Sequence, residues 1–274
     1  MPSANTGKQK IKAIKIFKDH VTITFLKREP LKISKEAFLS SYLYANKSIS
    51  QKEIDKLIEI TSLTTLLNYA ISLTNKRRYS ERSMREKLYK KEEANKSSVD
   101  YVIAKLKETH LIDDKTYMND LVAYYEERKY GKNKIISHLK NQGLSDELIA
   151  QVKFSTSKET KKAKTLIEKL SYKYRKYNYE SKKQHIYQAL VNRGYSFDAI
   201  KEALNDVKKD NPKQEKEKLV KDYQKALVKY QNKYDGYQLK QKIYAYLVNK
   251  GYHHNEIKTV LEDMYDENDC GLYC

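Results

Sequence analysis

The sequence has no tryptophan and only three prolines and seven glycines among its 274 residues. Proline and glycine interrupt helices and mark irregular loops, so their scarcity predicts a mostly helical structure. The aromatic side chains are mainly tyrosines, of which there are 25. A tyrosine on a thin helical module packs its ring at the edge of a core, whereas an exposed ring can stack on a nucleic-acid base. Both interpretations stand for any single tyrosine.

Cysteines and long apolar runs are also scarce. Cys270 and Cys274 are the only cysteines, and two soft ligands are too few for a structural zinc site. No run approaches the roughly 20 apolar residues of a membrane-spanning helix. The first residues have no apolar core of a secretory signal. Free thiols without an export signal predict a cytoplasmic protein with no membrane partner.

Catalytic motifs are missing as well. The sequence contains neither a GxxxxGK[ST] phosphate loop nor a GxGxxG turn, so it shows neither of these nucleotide-binding signatures. Asp113 and Asp114 stand before a predicted helix, and we interpret them as its N-cap rather than as a metal-binding pair. No pairing of a nucleophile with a base is recognisable. We therefore expect a protein that is not an enzyme and that uses no cofactor or metal.

Positive charge is abundant. Lysine and arginine total 55 against 36 acidic residues, which gives a formal net charge of +19. This excess belongs on the surface, where it produces a strong positive field. The expected partners are polyanions, either nucleic acid or an acidic protein surface.

The chain repeats a pattern of Ile-x3-Leu-x-Asn-x-Gly followed by Leu or Tyr. It occurs three times without gaps, ending at Gly143, Gly194 and Gly251, and an imperfect earlier copy includes Met84 and Leu88. Ile and Leu four residues apart share one helix face, and glycine after the last turn favours the left-handed C′ conformation. An amphipathic stretch precedes each copy and a short helix follows it. Each unit is therefore predicted to contain three helices.

The first 62 residues differ from the repeats. Apolar and polar residues alternate on both sides of Lys18-Asp19, which predicts a β-hairpin, and a third strand is expected at Leu31-Ile33. Ser50 and Glu53 match a capping box at the start of a helix. The predicted fold is mainly all-α, with tandem three-helix repeats in an elongated curved array after a small N-terminal α+β segment. The predicted divisions are residues 1–62, four repeats at 63–114, 115–156, 157–210 and 211–265, and an acidic tail at 266–274.

Basic residues concentrate in two stretches. Residues 76–91 carry eight basic residues against two acidic ones, and residues 158–183 carry ten against three. Such runs either contact phosphate or form a solvated helix face, and both alternatives remain open. The candidate partner-binding and nucleic-acid-binding residues are Arg77, Arg78, Arg82, Arg85, Lys87, Lys90, Lys91, Arg128, Lys129, Lys132, Lys134, Lys173, Arg175 and Lys176.

Residues 79–144 resemble the RecX family. The run from Tyr79 to Leu88, the later Leu111-Ile112-Asp113-Asp114, and the spacing of Arg128, Gly131, Ile135, Leu139 and Gly143 carry this similarity. Longer members of the family have an N-terminal segment and a further repeat. The sequence departs from the family pattern where Lys91-Glu92-Glu93-Ala94-Asn95 replaces the glycine that usually follows the second helix, and where Thr109-His110 replaces a glycine.

The resemblance implies a regulator of RecA. RecX-like proteins bind the groove of the RecA–DNA filament and limit filament growth, ATP hydrolysis and strand exchange. We therefore expect RecA and its filament as partners, weak nonspecific binding of single- or double-stranded DNA, and a monomer. The alternatives are a nonspecific single-stranded nucleic-acid-binding repeat protein, which needs no recombinase, and a helical adaptor for acidic proteins, which ignores DNA.

Overall fold

The structure is a computed structural model that describes residues 8–270, with side chains for residues 8–264. The chain forms two compact units. Unit 1 contains Met1–Leu121 and Leu139–Ile149, and unit 2 contains Val122–His138 and Ala150–Cys274. The described residues contain thirteen helices and four short strands, which confirms the prediction of a mainly helical chain with a small N-terminal sheet.

The N-terminal sheet has the order β3-β2-β1-β4. Its strands are β1 (Gln9–Ile16), β2 (Val21–Phe25), β3 (Leu31–Ile33) and β4 (Ser48–Ile49), and every pairing is antiparallel. The predicted hairpin and third strand are confirmed. The two-residue strand β4 was not predicted, because two residues carry no measurable alternation. One sheet face packs its apolar side chains against helices α1 (Lys35–Leu39) and α2 (Gln51–Thr74).

Helix α2 starts at the predicted capping box. The Ser50 side chain accepts a hydrogen bond from the Glu53 amide at 3.3 Å, and the Glu53 carboxylate accepts one from the Ser50 amide at 2.7 Å. The helix then continues through residue 62, so the predicted end of the N-terminal segment lies inside one helix. Its first half contributes Ile54 to the core of the sheet, and its second half contributes Leu66 to the next core.

By length and composition alone, α2 is long and apolar enough to cross a membrane, since an 18-residue window within it has a mean hydropathy of 1.2. The sequence shows no uninterrupted apolar run here, because threonines, serines and one asparagine divide it. Core helices pass the same test, and α2 contributes buried residues to both cores of unit 1, although only 17% of that window is buried. The helix is therefore weak evidence for a membrane segment.

The remaining helices follow in groups of three. Repeat 1 consists of α2 with α3 (Glu81–Leu88) and α4 (Lys96–Glu108). Repeat 2 consists of α5 (Asp114–Glu127), α6 (Lys132–Asn141) and α7 (Asp146–Ile149). Repeat 3 consists of α8 (Thr156–Lys173), α9 (Tyr179–Asn192) and α10 (Phe197–Leu204). Repeat 4 consists of α11 (Pro212–Tyr230), α12 (Gly236–Asn249) and α13 (His254–Cys270). The paired apolar positions of the second helices are all buried: Met84 and Leu88, Ile135 and Leu139, Ile186 and Leu190, and Ile243 and Leu247.

The three pattern glycines have the predicted left-handed backbone. The φ angles of Gly143, Gly194 and Gly251 are 81°, 80° and 83°. In each turn the amide of the next residue donates back to the helix, as from Tyr195 to the Leu190 carbonyl at 3.2 Å. Tyr195 itself is buried, so the residue after glycine folds back onto the helix as predicted.

These glycine turns also join the repeats. The turn that follows the second helix of one repeat rests on the first turn of the second helix in the preceding repeat. We call these contacts joint 1 (repeats 1 and 2), joint 2 (repeats 2 and 3) and joint 3 (repeats 3 and 4). In each joint, the carbonyl that accepts hydrogen bonds belongs to the residue just before the pattern glycine, which is Gln142, Arg193 or Lys250.

The donors differ between joints. At joint 1 the hydroxyls of Ser80 and Ser83 donate to the Gln142 carbonyl, at 2.5 and 2.9 Å. At joint 3 the amide of the Asn178 side chain donates to the Lys250 carbonyl at 2.7 Å, and the Ser181 hydroxyl donates to it as well.

Joint 2 uses the backbone instead. The amide of Gly131 donates to the Arg193 carbonyl at 2.9 Å, and the amide of Asn133 donates to the Gly194 carbonyl at 2.9 Å. A Cβ atom at Gly131 would lie 2.3 Å from the Tyr195 nitrogen, so only glycine permits this approach.

A carboxylate completes each joint. Asp114, Glu159 and Glu215, each from the first helix of the later repeat, accept hydrogen bonds from the first amide of α3, α6 and α9, at 2.8, 2.9 and 3.2 Å. Carboxylates favour helix N-termini because free amides and the helix dipole converge there. Burial raises the pKa of the Asp114 carboxyl, although the hydrogen bond from the Glu81 amide opposes this shift. Glu159 is buried and also accepts from the Ser196 hydroxyl at 2.7 Å.

Two expectations need correction or fall outside the described part. The sequence pattern also predicts Val152 on the inward face of the third helix of repeat 2, but that helix ends at Ile149 and Val152 lies beyond it. Helix α13 continues to Cys270, past the predicted start of the acidic tail at residue 266. The side chains of residues 265–270 and all of residues 271–274, with Cys274, lie outside the described residues, as does any role of that tail.

Candidate nucleic-acid and partner interface

Near each end of the basic stretch of unit 1, a cation lies over a tyrosine ring. The Arg77 guanidinium lies 4.3 Å from the Tyr79 ring centroid, and the Lys91 ammonium lies 4.2 Å from that of Tyr69. A hydrogen bond with Tyr79 raises the pKa of Arg77 further above its ordinary value. Both cations are exposed, so they are held in place while their outer faces remain accessible.

Two other predicted contact residues of this stretch are already paired with carboxylates. Arg78 pairs with Asp120, and Arg82 pairs with Glu86 one turn along its own helix, at 3.2 Å. These pairs are exposed, and exposed pairs contribute little stability, so they can exchange for another anion. Lys87 is half-buried and Lys90 is exposed.

Arg85 belongs to a network of ion pairs between two helices. Its guanidinium contacts Glu81 at 2.8 Å and Asp100 at 2.5 Å, and Lys107 contacts Glu81 at 2.5 Å. The two carboxylates raise the pKa of Arg85. Burial opposes ionisation of Glu81, but the bonds from Lys107 and Arg85 hold the pKa of Glu81 below its usual value. Arg85 therefore ties α3 to α4 and is a poor choice for a freely accessible contact residue.

In unit 2, Arg128 repeats the arrangement seen at Arg77. Its guanidinium lies 4.2 Å from the exposed Tyr124 ring. Lys129 has a positive φ of 57°, and its ammonium donates to the Thr165 hydroxyl at 3.2 Å. Lys132 is exposed, whereas Lys134 is half-buried with its backbone against Gly194. Arg128 and Lys132 are thus the predicted residues of this group with open side chains.

The tyrosine-rich end of α8 contains both kinds of tyrosine. Tyr172 is 68% exposed, and the Arg175 guanidinium lies 4.2 Å from its ring. Tyr174 is half-buried and stacks on His185 at 5.2 Å. Lys173 and Lys176 are exposed. Tyr172 is therefore the most accessible ring of this stretch, and Tyr174 belongs to the packed edge of repeat 3.

Sequence reasoning missed a basic cleft beside this end of α8. The cleft has a volume of about 570 Å³ and is lined by Arg175 and Lys176 together with residues of α11. Its α11 cations are Lys218, Lys221 and Lys225, and its acids are Asp210, Glu217 and Asp222. Lys218 is already paired with Asp210 and Glu215. The spacing of Lys218, Lys221 and Lys225 places them on one helix face, which is the signal that would have identified them.

One accessible cation recurs at the same position in all four repeats. Arg77 follows α2, Arg128 follows α5, Arg175 follows α8, and Lys229 lies in the last turn of α11, and each lies over a tyrosine ring. We call these contacts the cation–tyrosine pairs. A cation fixed on an aromatic plane offers a charge for phosphate and a flat surface for a base or another ring. Among the described residues, no group of three or more His, Cys, Asp or Glu could hold a metal ion.

Comparisons with known proteins point to one family. A family model described as the third three-helix domain of RecX matches twice, over residues 158–204 and 213–261. The chain is 26% identical over 246 residues to the regulatory protein RecX of Streptococcus thermophilus (strain CNRZ 1066), covering 87% of this chain and 93% of that protein. It is 28% identical over 245 residues to the regulatory protein RecX of Streptococcus pyogenes serotype M4 (strain MGAS10750), covering 86% and 92%.

A solved structure agrees in fold. It is described as the crystal structure of regulatory protein RecX and superimposes with a TM-score of 0.57 at 19% identity, covering 73% of this chain and all of that chain. At this identity the likeness concerns the fold alone.

Proposed function

We propose that this chain, which is similar to regulatory proteins of the RecX family over most of its length, regulates a RecA recombinase by binding the RecA filament on single-stranded DNA. Binding limits filament growth, ATP hydrolysis and strand exchange. The protein acts as a monomer in the cytoplasm, performs no catalytic chemistry and binds bare DNA only weakly. The relatives are named regulatory protein RecX, and the similarity covers 93% and 92% of their lengths. This name supports the regulatory part of the proposal.

The observation that carries the proposed mode of binding is the recurrence of the cation–tyrosine pairs. One pair stands at or just after the end of the first helix in each repeat, so each repeat offers a similar contact to an anionic ligand. Many modest contacts made at once give high avidity for an extended filament and little for an isolated subunit. The pairs therefore favour a filament over either of its components.

The experiment compares two triple charge reversals of equal size. The first changes Arg77, Arg128 and Arg175 to Glu, and the control changes Lys153, Lys201 and Lys208 to Glu; all six side chains are exposed. The readout is the DNA-dependent ATPase of RecA, with circular dichroism to verify folding. We expect wild-type protein to inhibit at concentrations below those that coat the DNA. The arginine variant should need at least tenfold more protein, and the control should stay within about threefold of the wild type.

The alternatives give different outcomes. If wild-type protein leaves the ATPase unchanged even in molar excess, the regulator assignment fails and nonspecific single-strand binding replaces it. If both triple variants lose inhibition equally, net charge rather than the cation–tyrosine pairs determines binding. Pull-down with RecA filaments, free RecA and bare DNA separates the three targets, and an adaptor for acidic proteins would ignore the DNA.

A further inference from the structure

The N-terminal sheet has one face that no part of the proposed function uses. Its inner face packs Ile11, Ile23 and Ile33 into a core. Strand residues alternate between faces, so the residues between these apolar positions lie on the opposite side. The outer sheet face consists of Lys10, Lys12, Lys15, Thr22, Thr24 and Lys32, of which the lysines are exposed and the threonines half-exposed.

The strand register brings these lysines together. Lys15 pairs with Thr22, and Thr22 pairs with Lys32 on its other side, so one cross-strand row runs Lys15–Thr22–Lys32. Two strand spacings separate its lysines by about 10 Å. Lys10 pairs with Ser48 toward the far end of β1, and Lys12 is the additional residue at the irregularity between Ile11 and Ala13.

Carboxylates are scarce around this face. Residues 8–33 contain eight basic residues and only Asp19 and Glu29 as acids. Asp19 lies in the hairpin turn and bonds His20, and this bond lowers the pKa of the Asp19 carboxyl. Among the described residues, none of the four face lysines forms an ion pair. Like charges on one sheet face repel one another, and this repulsion lowers the stability of the sheet. An anionic ligand bound to the face would reduce the repulsion.

An exposed ring pair lies at the end of the same hairpin. Phe17 is 46% exposed and stacks on His20, with ring centroids 4.7 Å apart and planes 11° from parallel. The threonine side chains between the lysines are small and half-exposed. A cationic surface beside an open aromatic ring has the two features that bind unpaired nucleotides, namely charge for phosphate and a plane for a base.

We propose that the outer sheet face is a second nucleic-acid contact, separate from the repeats, that binds the backbone of single-stranded DNA while Phe17 stacks on a base. The four lysines follow the phosphates without reading sequence. The face thus binds DNA in the absence of any recombinase, and this inference does not depend on the regulatory proposal for the repeats.

The test uses the full-length protein and a fluorescently labelled thymidine oligonucleotide, with binding followed by anisotropy over a range of salt concentrations. The sheet variant changes Lys10, Lys12, Lys15 and Lys32 to Gln. The matched control changes Lys52, Lys56, Lys96 and Lys115 to Gln; these lysines are exposed in the same unit but lie on helices. Both variants lose four positive charges, so the comparison isolates position from net charge.

We expect the sheet variant to bind at least tenfold more weakly at low salt and the control to change less than threefold. The log–log salt slope should become shallower by about 2 to 3, since each phosphate contact on a single strand contributes about 0.7. Equal losses in both variants would mean that only total charge matters and would overturn the site. Unchanged binding and slope in the sheet variant would also overturn it.

A second variant tests the stacking contact without altering charge. Phe17→Leu should weaken binding to the thymidine oligonucleotide about fivefold and leave binding to an abasic oligonucleotide of the same length unchanged. Equal effects on both ligands, or tighter binding to duplex DNA than to the single strand, would exclude the single-strand assignment. If the sheet variant instead loses binding to free RecA while retaining the oligonucleotide, the face is a protein contact and the proposal is wrong.

Discussion

Joint 2 and joint 3 connect repeats that share one sequence pattern, but they are built from different atoms. At joint 3 side chains of Asn178 and Ser181 reach across to a carbonyl, and a Cβ atom at Gly251 would come no closer than 3.5 Å to its neighbours. At joint 2 backbone touches backbone, and a Cβ atom at Gly194 would lie 2.2 Å from the Lys134 nitrogen. The same pattern glycine therefore has two roles. At joint 3 it only supplies a left-handed turn, whereas at joint 2 it also provides the space for contact.

The difference matters because side chains can adjust and backbones cannot. A hydroxyl or amide group at the end of a side chain can move by a few tenths of an ångström, so joints 1 and 3 should tolerate small changes. Backbone contact between packed helices offers no such freedom. Joint 2 should therefore be the most sensitive place in the repeat array.

The largest expected effect is at Gly131. Replacing it by Ala places a Cβ atom 2.3 to 2.4 Å from backbone atoms of Gly194 and Tyr195, which must separate and lose two hydrogen bonds. We expect the free energy of unfolding to fall by roughly 3 kcal/mol, measured by urea denaturation. Gly236→Ala is the control, since a Cβ atom there would meet no neighbouring atom within 4 Å and the only strain is a positive φ of 44°. If both substitutions cost the same, close contact at joint 2 is not what requires glycine.

The next effect concerns the carboxylate of joint 2. Glu159→Ala would leave the Lys132 amide and the Ser196 hydroxyl without their acceptor in a buried position. The expected loss of stability is about 2 kcal/mol, because an unsatisfied buried donor retains its desolvation cost. Glu168→Ala on the same helix serves as the control, as Glu168 is exposed, and it should change stability by less than about 0.5 kcal/mol. If both substitutions change the stability by the same amount, the Glu159 carboxylate does not stabilise joint 2.

A smaller effect should distinguish the two joints made by side chains. A Cβ atom at Gly143 would meet the Ser80 and Ser83 hydroxyls at 3.1 and 3.2 Å, whereas one at Gly251 would find ordinary contacts. We expect Gly143→Ala to cost roughly 2 kcal/mol and Gly251→Ala about 1 kcal/mol, the latter from backbone strain alone. Thermal denaturation of the two variants gives the order. If Gly251→Ala were the more destabilising substitution, the close contacts at Gly143 would not explain the cost.

The smallest effect depends on pH and concerns Asp114 at joint 1. Burial raises the pKa of this carboxyl in the folded state, so the folded chain holds the proton more tightly than the unfolded chain does. The stability gained in this way is present below about pH 4, the ordinary value for Asp, and is lost as pH rises through the folded pKa. Asp114→Asn keeps an oxygen acceptor for the Glu81 amide. Its stability relative to the wild type should therefore increase between pH 4 and pH 7, as measured by urea denaturation, and no change would contradict the raised pKa.

Local features were the ones that sequence predicted well. The left-handed glycines, the capping box at Ser50 and Glu53, and the N-cap role of Asp113, which accepts from the Thr116 amide at 3.0 Å, each depend on residues within a few positions. Glycine conformation and capping are determined by such neighbours. Asp114 was grouped with Asp113, but it instead accepts from the Glu81 amide, 33 residues earlier in the chain.

The contacts that form the joints could not be predicted from the sequence. Gly131 and Gly194 are each explicable alone, and nothing in their spacing shows that they touch. The candidate site divides in the same way. Clusters of cations were visible, but Arg85 looked like Arg77 until its carboxylate partners were located. The lysines of the outer sheet face were visible individually as well, and only the strand register shows that they share one surface.

The buried tyrosine of joint 2 has an optical consequence. The Tyr195 hydroxyl donates to the Lys129 carbonyl at 2.7 Å, and burial raises the pKa of Tyr195 to about 12. The sequence has no tryptophan, so near-ultraviolet absorbance comes chiefly from tyrosine, and a phenol in water ionises near pH 10. Burial also raises the pKa of Tyr252 at joint 3. Tyrosines that ionise late in an alkaline titration therefore report closed joints, and their spectrum would reveal opening without any added label.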